Sequence, residues 1–206
     1  MQQNTPVFPL NTPLLPGCVL PLQIFEPRYL DMVAQCMRTN SGFVIVQLKE
    51  GDEVMRSGPK AEVESQVQFF CAGTLAVISD FGQMKNGLLA ITALGCERVT
   101  LDNPVQQKSG LWVADVDVLA ERGVPSGEDF EALCDLLKKL LAHELMENIR
   151  GVVEFDSPEL VMNYLIMLLP ISKYQKQALL ETDHLGLRWN GLRECISLLE
   201  QRVNGV

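Results

Sequence analysis

The stretch His143-Glu144-Leu145-Met146-Glu147 has residue types that approach a zinc-protease helix. That chemistry needs a second histidine four residues after the first, so that both imidazoles share one helical face. Glu147 stands there instead, and the stretch reads as a solvated helix face. Ser172-Lys173 puts a hydroxyl beside an amine, but sequence neighbours do not face each other on a helix. The pair reads as a helix cap rather than a dyad. Cys18 follows Gly17, and a nucleophilic thiol needs a base or a helix N-terminus close by. Neither His143 nor His184 is placed near it by sequence, so the thiol reads as structural. His184 itself, beside Asp183, reads as part of a helix start. No Gly-x-Gly-x-x-Gly and no Walker lysine motif occurs to cradle a phosphate. Cys18, Cys36, Cys71, Cys96, Cys134 and Cys195 lack metal-ligand spacing, and most sit in apolar stretches, as buried reduced thiols do. The sequence therefore assigns no catalytic residue, no metal site and no cofactor.

A binding cluster is left. Phe25, Glu26, Arg28 and Tyr29 surround Pro27, and they are the candidate binding residues. In one role Arg28 and Tyr29 line a surface for peptides. In the other, Glu26 and Arg28 fix the start of a helix and Tyr29 packs it, with the hydroxyl satisfied at the rim. Tyr29 lies on an apolar helical stripe with Leu30, Val33, Cys36 and Met37, which favours the packing role. Pro27 suits the first turn of that helix, where its missing donor costs nothing, and it forces Glu26 into an extended conformation. The helix runs to about Arg38, and Ser41-Gly42 is its stop signal. Upstream, Pro9, Pro13, Pro16 and Pro21 read as breaks between short edge pieces and turns, because proline cannot donate to a ladder.

Strand patterns follow. Phe43 to Leu48 is a continuous apolar run, residues 49 to 65 read as an exposed loop, and Phe69 to Ser79 is a strand with a bend or bulge at Gly73. Asn86-Gly87 is a tight turn leading into Leu88 to Thr92. Cys96 to Leu101 alternates, with Glu97, Val99 and Leu101 on one face, and Leu111 to Leu119 alternates as a half-buried strand. The period changes near residue 120. Gly123, Pro125 and Gly127 form a linker, and Ser126 with Asp129 starts a helix to about Asn148. Ser157-Pro158-Glu159 starts a second helix, ended by Pro170, and Ser172 with Gln175 is the capping box of a third. Leu185, Trp189, Leu192, Ile196, Leu199 and Val203 mark a fourth. The segregation of strands from helices predicts an α+β fold, with a β-rich part over 1–120 and a helical part over 121–206.

The net charge of −9 is shared by both parts, 8 basic residues against 12 acidic up to residue 120 and 9 against 14 beyond it. Nucleic-acid binding needs a basic stripe, and none shows. The apolar segment from Leu160 to Ile171 is too short to span a bilayer, and the N-terminus lacks a signal-peptide pattern. The expectation is a soluble cytoplasmic protein.

Phe8-Pro9-Leu10, Pro16-Gly17, Leu20-Pro21-Leu22, Ile24 through Tyr29, Met32-Val33, Gly73-Thr74, Gly95 through Arg98 and Gln177 through Glu181 resemble the Lon N-terminal domain, the substrate-engaging module ahead of the ATPase in Lon proteases and also a free-standing protein. The resemblance spans nearly the whole chain. It implies a twisted, PUA-like β pseudobarrel followed by a four-helix bundle. It also implies a non-catalytic module for unfolded or partner polypeptide, acting as an adaptor or regulator, since the ATPase and Ser-Lys protease domains lie outside the match. RNA binding, known for PUA-like barrels, and an enzyme with a site between barrel and bundle are the alternatives. A homodimer paired through flat apolar surfaces stays open.

Overall fold

Pro6, Pro9, Pro21 and Pro104 sit inside strands, and the way the sheet tolerates them organises the fold. In the computed structural model, which describes residues 2–50 and 68–204, Pro6 and Pro9 lie in β1 (Gln2–Leu10) and Pro21 in β2 (Val19–Ile24). The other strands are β3 (Phe43–Glu50), β4 (Gln68–Gln83), β5 (Leu89–Gln106) and β6 (Trp112–Val118). β1 pairs antiparallel with β6 from Gln2 to Val7, then parallel with β3 from Val7 to Leu10. Pro6 therefore has a partner on the β6 side alone and Pro9 on the β3 side alone, and each missing N–H can face the vacant side. This corrects the reading of Pro9 as a strand breaker: β1 is an inner strand because it changes partner at Val7. Most of the loop expected over 49–65 lies outside the described residues.

The strand order is β2-β5-β4-β3-β1-β6, and a further β5–β6 pairing closes five of the six into a ring. β2 stays outside the ring, paired with β5 alone. Bulges where β6 meets its two neighbours turn the strands to close. Each holds an asparagine in the left-handed region, Asn4 (φ 55) in β1 and Asn103 (φ 48) in β5. Gly73 borders the bulge anticipated for it, where the β3–β4 register shifts between Val46 and Leu48. A Cβ there would stand 2.3 Å from the Ile45 carbonyl oxygen, so glycine lets β3 and β4 approach. Val7, Val44, Val46, Val99, Leu101, Ala114 and Val116 fill the ring. Glu97 is exposed instead of sharing the buried face of Val99 and Leu101, and its neighbour Arg98 is the buried charge.

Helix α1 (Pro27–Thr39) starts as predicted, with Glu26 extended at φ −77 and ψ 133. Its stop is Asn40 at φ 51, one residue before the expected signal. The second half holds α2 (Phe130–Leu141), α3 (Glu147–Arg150), α4 (Pro158–Leu168), α5 (Lys173–Glu181) and α6 (Leu185–Asn204), with a 3₁₀ turn over Glu144–Met146. Periodicity predicts four helices; five are present because α2 stops at Leu141. The Arg150 guanidinium folds back on the Leu141, Ala142 and His143 carbonyls at 2.6, 2.8 and 3.2 Å and caps the helix there. The expected Ser126–Asp129 start is replaced too. Asp129 has φ 58 and makes no side-chain cap, because its carboxylate is held by Arg193 at 2.5 Å. The capping box of α5 forms as predicted, Ser172 with Gln175. α4 is buried from Val161 through Met167 and packs against α2, α5 and α6. One apolar core runs without interruption from Phe8 and Tyr29 through Leu165 to Trp189, joining sheet and helices. Among the described residues, no helix is long and apolar enough to cross a membrane.

Candidate functional site

The four candidate residues are brought together, but they do different physical work. Phe25 is 50% exposed, whereas Tyr29 is 3% and Arg28 7% exposed. The Tyr29 ring stacks on Phe8, with centroids 3.9 Å apart at 23°. The Arg28 guanidinium lies 4.4 Å from the centre of the Tyr29 ring, pairs with Glu26 at 2.9 Å and donates to the Gly110 carbonyl at 2.9 Å. That donation fastens the start of α1 to the β5–β6 turn. Phe25, Glu26 and Tyr29 line a cavity of about 170 Å³ together with Phe8, Leu10 and β2.

β2 is the element that sequence reasoning undervalued. In an antiparallel pair, alternate residues turn both backbone groups toward the partner. The Gly95 N–H donates to the Cys18 carbonyl at 2.9 Å, while the Val19 N–H turns away from β5 to the Tyr164 hydroxyl at 3.1 Å. The parity puts Leu20, Leu22 and Ile24 against β5, and Val19, Pro21 and Gln23 on the outer edge. Pro21 falling on the outer parity fits, since it has no N–H to lose. Past Val19, then, the edge presents the Pro21 carbonyl and both backbone groups of Gln23. Among the described residues, no hydrogen bond from another element takes them.

The far halves of β4 and β5 extend this edge into a three-stranded arm. Registers align Leu22–Ile91–Phe81 as one row across it and Pro21–Thr92–Asp80 as the next, so successive rows face opposite sides. Phe81 is 60% exposed at the arm's tip. A second cavity of about 420 Å³ is lined by Pro21, Leu22, Gln23, Phe81, Met84, Asn148 and neighbouring arm residues. The two cavities share Pro21, Leu22 and Gln23, which places the open edge between them.

Behind the arm, a charged cluster that the sequence did not signal joins sheet to helices. Arg98 of β5 donates to the Leu180 carbonyl at 2.7 Å, Thr182 at 3.1 Å and Ala120 at 2.7 Å. Arg188 of α6 donates to the Thr182 carbonyl at 2.6 Å, and both guanidiniums meet Glu121, at 3.3 Å from Arg98 and 2.6 Å from Arg188. Burial, then the neighbouring Arg188 charge, lowers the Arg98 pKa, against the pull of Glu121. Burial also raises the carboxyl of half-buried Glu159, and Glu121 adds to the rise. A raised folded-state pKa means that ionising Glu159 weakens the fold as pH climbs past its unfolded value. Glu159→Gln should accordingly raise the thermal midpoint at pH 7, with the gain shrinking toward zero below pH 4.5, the ordinary carboxyl value. Thermal scans of both proteins across that range check it.

The remaining chemical candidates are structural. Burial, and the Glu159 charge, push the Cys18 thiol well up, away from a nucleophilic state. All six cysteines are free thiols, and Cys71 is exposed. Burial pushes the Tyr164 phenol up to about 12, so it caps Val19 as a neutral hydroxyl. Lys173 donates to the Lys49 carbonyl and does not pair with Ser172. Among the described residues, no three His, Cys, Asp or Glu side chains gather as a metal site would require.

Residues 4–200 match the family described as the ATP-dependent protease La (LON) substrate-binding domain. The chain belongs to this family. It is similar to the Lon protease of Flavobacterium johnsoniae, 25% identical over 93% of this chain and 22% of that protein. It is similar also to Lon protease 1 of Bdellovibrio bacteriovorus, 24% identical over 96% of this chain and 25% of that one. The chain thus spans about a quarter of the curated relatives it matches. The crystal structure of a Lon N-terminal domain protein from Xanthomonas campestris is 26% identical and superposes with a TM-score of 0.64 over 94% of this chain and 98% of that one. The N-terminal domain of a Mycobacterium avium complex Lon protease has the same fold at 19% identity, with a TM-score of 0.55 over 93% and 97% of the two chains. In the relatives' proteases the matched part is the substrate-binding domain and not a catalytic one. The α+β fold, consistent with a PUA-like barrel, is that of Lon N-terminal domains.

Proposed function

We propose that this substrate-binding domain holds unfolded or partner polypeptide as an extended segment along the outer edge of β2. The observation that carries the reading is the open edge at Pro21 and Gln23, bracketed by exposed Phe25 and Phe81. An added strand would gain backbone hydrogen bonds there and place apolar side chains in the flanking cavities. Phe25 is the contact of the candidate cluster, and Glu26, Arg28 and Tyr29 act as positioning residues that hold it. The part over 1–120 supplies the surface, and the part over 121–206 keeps β2 in place through Tyr164. Handing the captured chain to a separate protease, as an adaptor or regulator, is the finer form of the same reading.

Ordering a flexible ligand keeps affinity modest, with Kd on the order of 10–100 µM. Fluorescence anisotropy with a labelled, reduced and carboxymethylated polypeptide should saturate in that range. The Phe25→Ala/Phe81→Ala pair should weaken it about ten-fold or more, since each ring loses apolar burial in the complex. A titration that never saturates, or a double variant that binds as well as the parent, overturns the reading.

A further inference from the structure

The arm has two long edges, and they are built differently. On one side β2 pairs with β5 at every residue from Val19 to Ile24 without a register shift, and it carries no charged residue. On the other side β3 covers β4 only as far as Ala76, and from Val77 to Gln83 β4 pairs with β5 alone. That second edge is interrupted. The β4–β5 register shifts between Ile78 and Asp80, where the Ser79 hydroxyl donates to the Thr92 carbonyl at 3.1 Å. Asp80 follows at once and is exposed. We propose that Asp80 confines strand addition to β2 by keeping the outer edge of β4 closed. The proposal rests on the reading of β2 as the holder of polypeptide and names what stops the arm from taking a second strand.

At the end of the arm the Met84 N–H donates to the Leu88 carbonyl at 2.9 Å. Alternation back along the registered pairs turns the backbone groups of Gly82 and Asp80 toward β5, and those of Phe81 and Gln83 outward. An added strand would need the outward Phe81 N–H, and that donor is already taken: Asp80 Oδ1 accepts it at 2.9 Å. An incoming carbonyl has to displace the carboxylate oxygen, which leaves a charge without its donor beneath the added strand. A charged side chain at a bulge is one way that natural sheets keep an edge from pairing. β2 has the opposite character. Pro21 withholds one donor, but its carbonyl and both backbone groups of Gln23 stay open, and no charge within the strand guards them.

A short labelled peptide of alternating Leu and Ser, titrated into the full chain and its Asp80→Ala variant, tests this by sedimentation velocity and amide exchange. The parent should take one peptide per chain, slowing exchange at Gln23 and leaving Gln83 at its free-state rate. Asp80→Ala should take two, with about the same affinity at each, and slow Gln83 as well. In the free variant the Phe81 amide should exchange about ten-fold faster or more, since its acceptor is gone. If the opened edges of two copies pair with each other instead, the variant sediments as a dimer with Gln83 protected before peptide is added, which equally supports the proposal. A variant that stays monomeric, takes one peptide and leaves Gln83 exchanging freely overturns the proposal while the β2 reading stands, as does a parent that takes two with Gln83 slowed. Peptide bound at Gln83 of the variant, with Gln23 unprotected in both proteins, overturns the β2 reading alone. No binding to either protein, with the variant monomeric, overturns both.

Discussion

Replacing Arg98 by methionine should lower the unfolding free energy by about 3–5 kcal/mol, as expected when one partner of a buried ion pair is removed. The loss has a specific origin. The Arg98 guanidinium is fully wrapped and serves the Leu180, Thr182 and Ala120 carbonyls at 3.1 Å or less. Methionine fills the space but leaves carbonyls without donors in a low-dielectric setting, each at a cost of about 1–3 kcal/mol. Arg188 remains to hold Glu121 and Thr182, so the cluster weakens without vanishing. Arg98→Lys should recover less than half of the loss, because a compact ammonium cannot reach carbonyls spread over two connections. Urea unfolding at pH 7 reads all three proteins. A loss under about 1 kcal/mol for Arg98→Met would mean that the sheet and helices are held by the shared apolar core alone.

Tyr29→Ala should cost a similar amount, about 3–5 kcal/mol, while Phe25→Ala should change stability by no more than about 0.5 kcal/mol. The two aromatics lie four residues apart and look alike in sequence. Tyr29 is stacked on Phe8 and covered by Arg28, so truncation opens a cavity in the core. Phe25 already faces solvent. Tyr29→Phe keeps the ring, with its stack on Phe8 and its Arg28 contact, and should lose no more than about 1 kcal/mol. In binding the order reverses: Phe25→Ala should weaken peptide affinity in a fully folded protein, and Tyr29→Phe should bind as the parent does. Unfolding and anisotropy on the same three variants separate the positioning residue from the contact.

The parts legible in the sequence are those with local causes. Pro27 marks the start of α1, Ser172 and Gln175 mark that of α5, and Pro158 with Pro170 brackets α4, because each signal acts within one helical turn. The parts that escaped depend on partners distant in the chain. Pro9 is tolerated because β1 changes neighbours at Val7, which only the closed ring reveals. α2 ends where Arg150 returns to cap it, and Asp129 fails as a cap because Arg193, 64 residues away, takes its carboxylate. Arg98 looks like a surface charge beside Glu97 until α5 and α6 close over it. Of the candidate site, the cluster from Phe25 to Tyr29 was legible through its proline and its apolar stripe. The edge parity of β2 was not, since it follows from which residue of β5 lies opposite.

Residue-resolved amide hydrogen exchange along β2 tests the central claim most directly. In the free protein the Leu22 and Ile24 amides, turned toward β5, should exchange slowly, and the Gln23 amide, turned outward, should exchange fast. With saturating unfolded polypeptide, Gln23 should slow markedly while Leu22 and Ile24 change little. Protection that appears elsewhere on the chain while Gln23 keeps its free-state rate would contradict an edge-bound ligand.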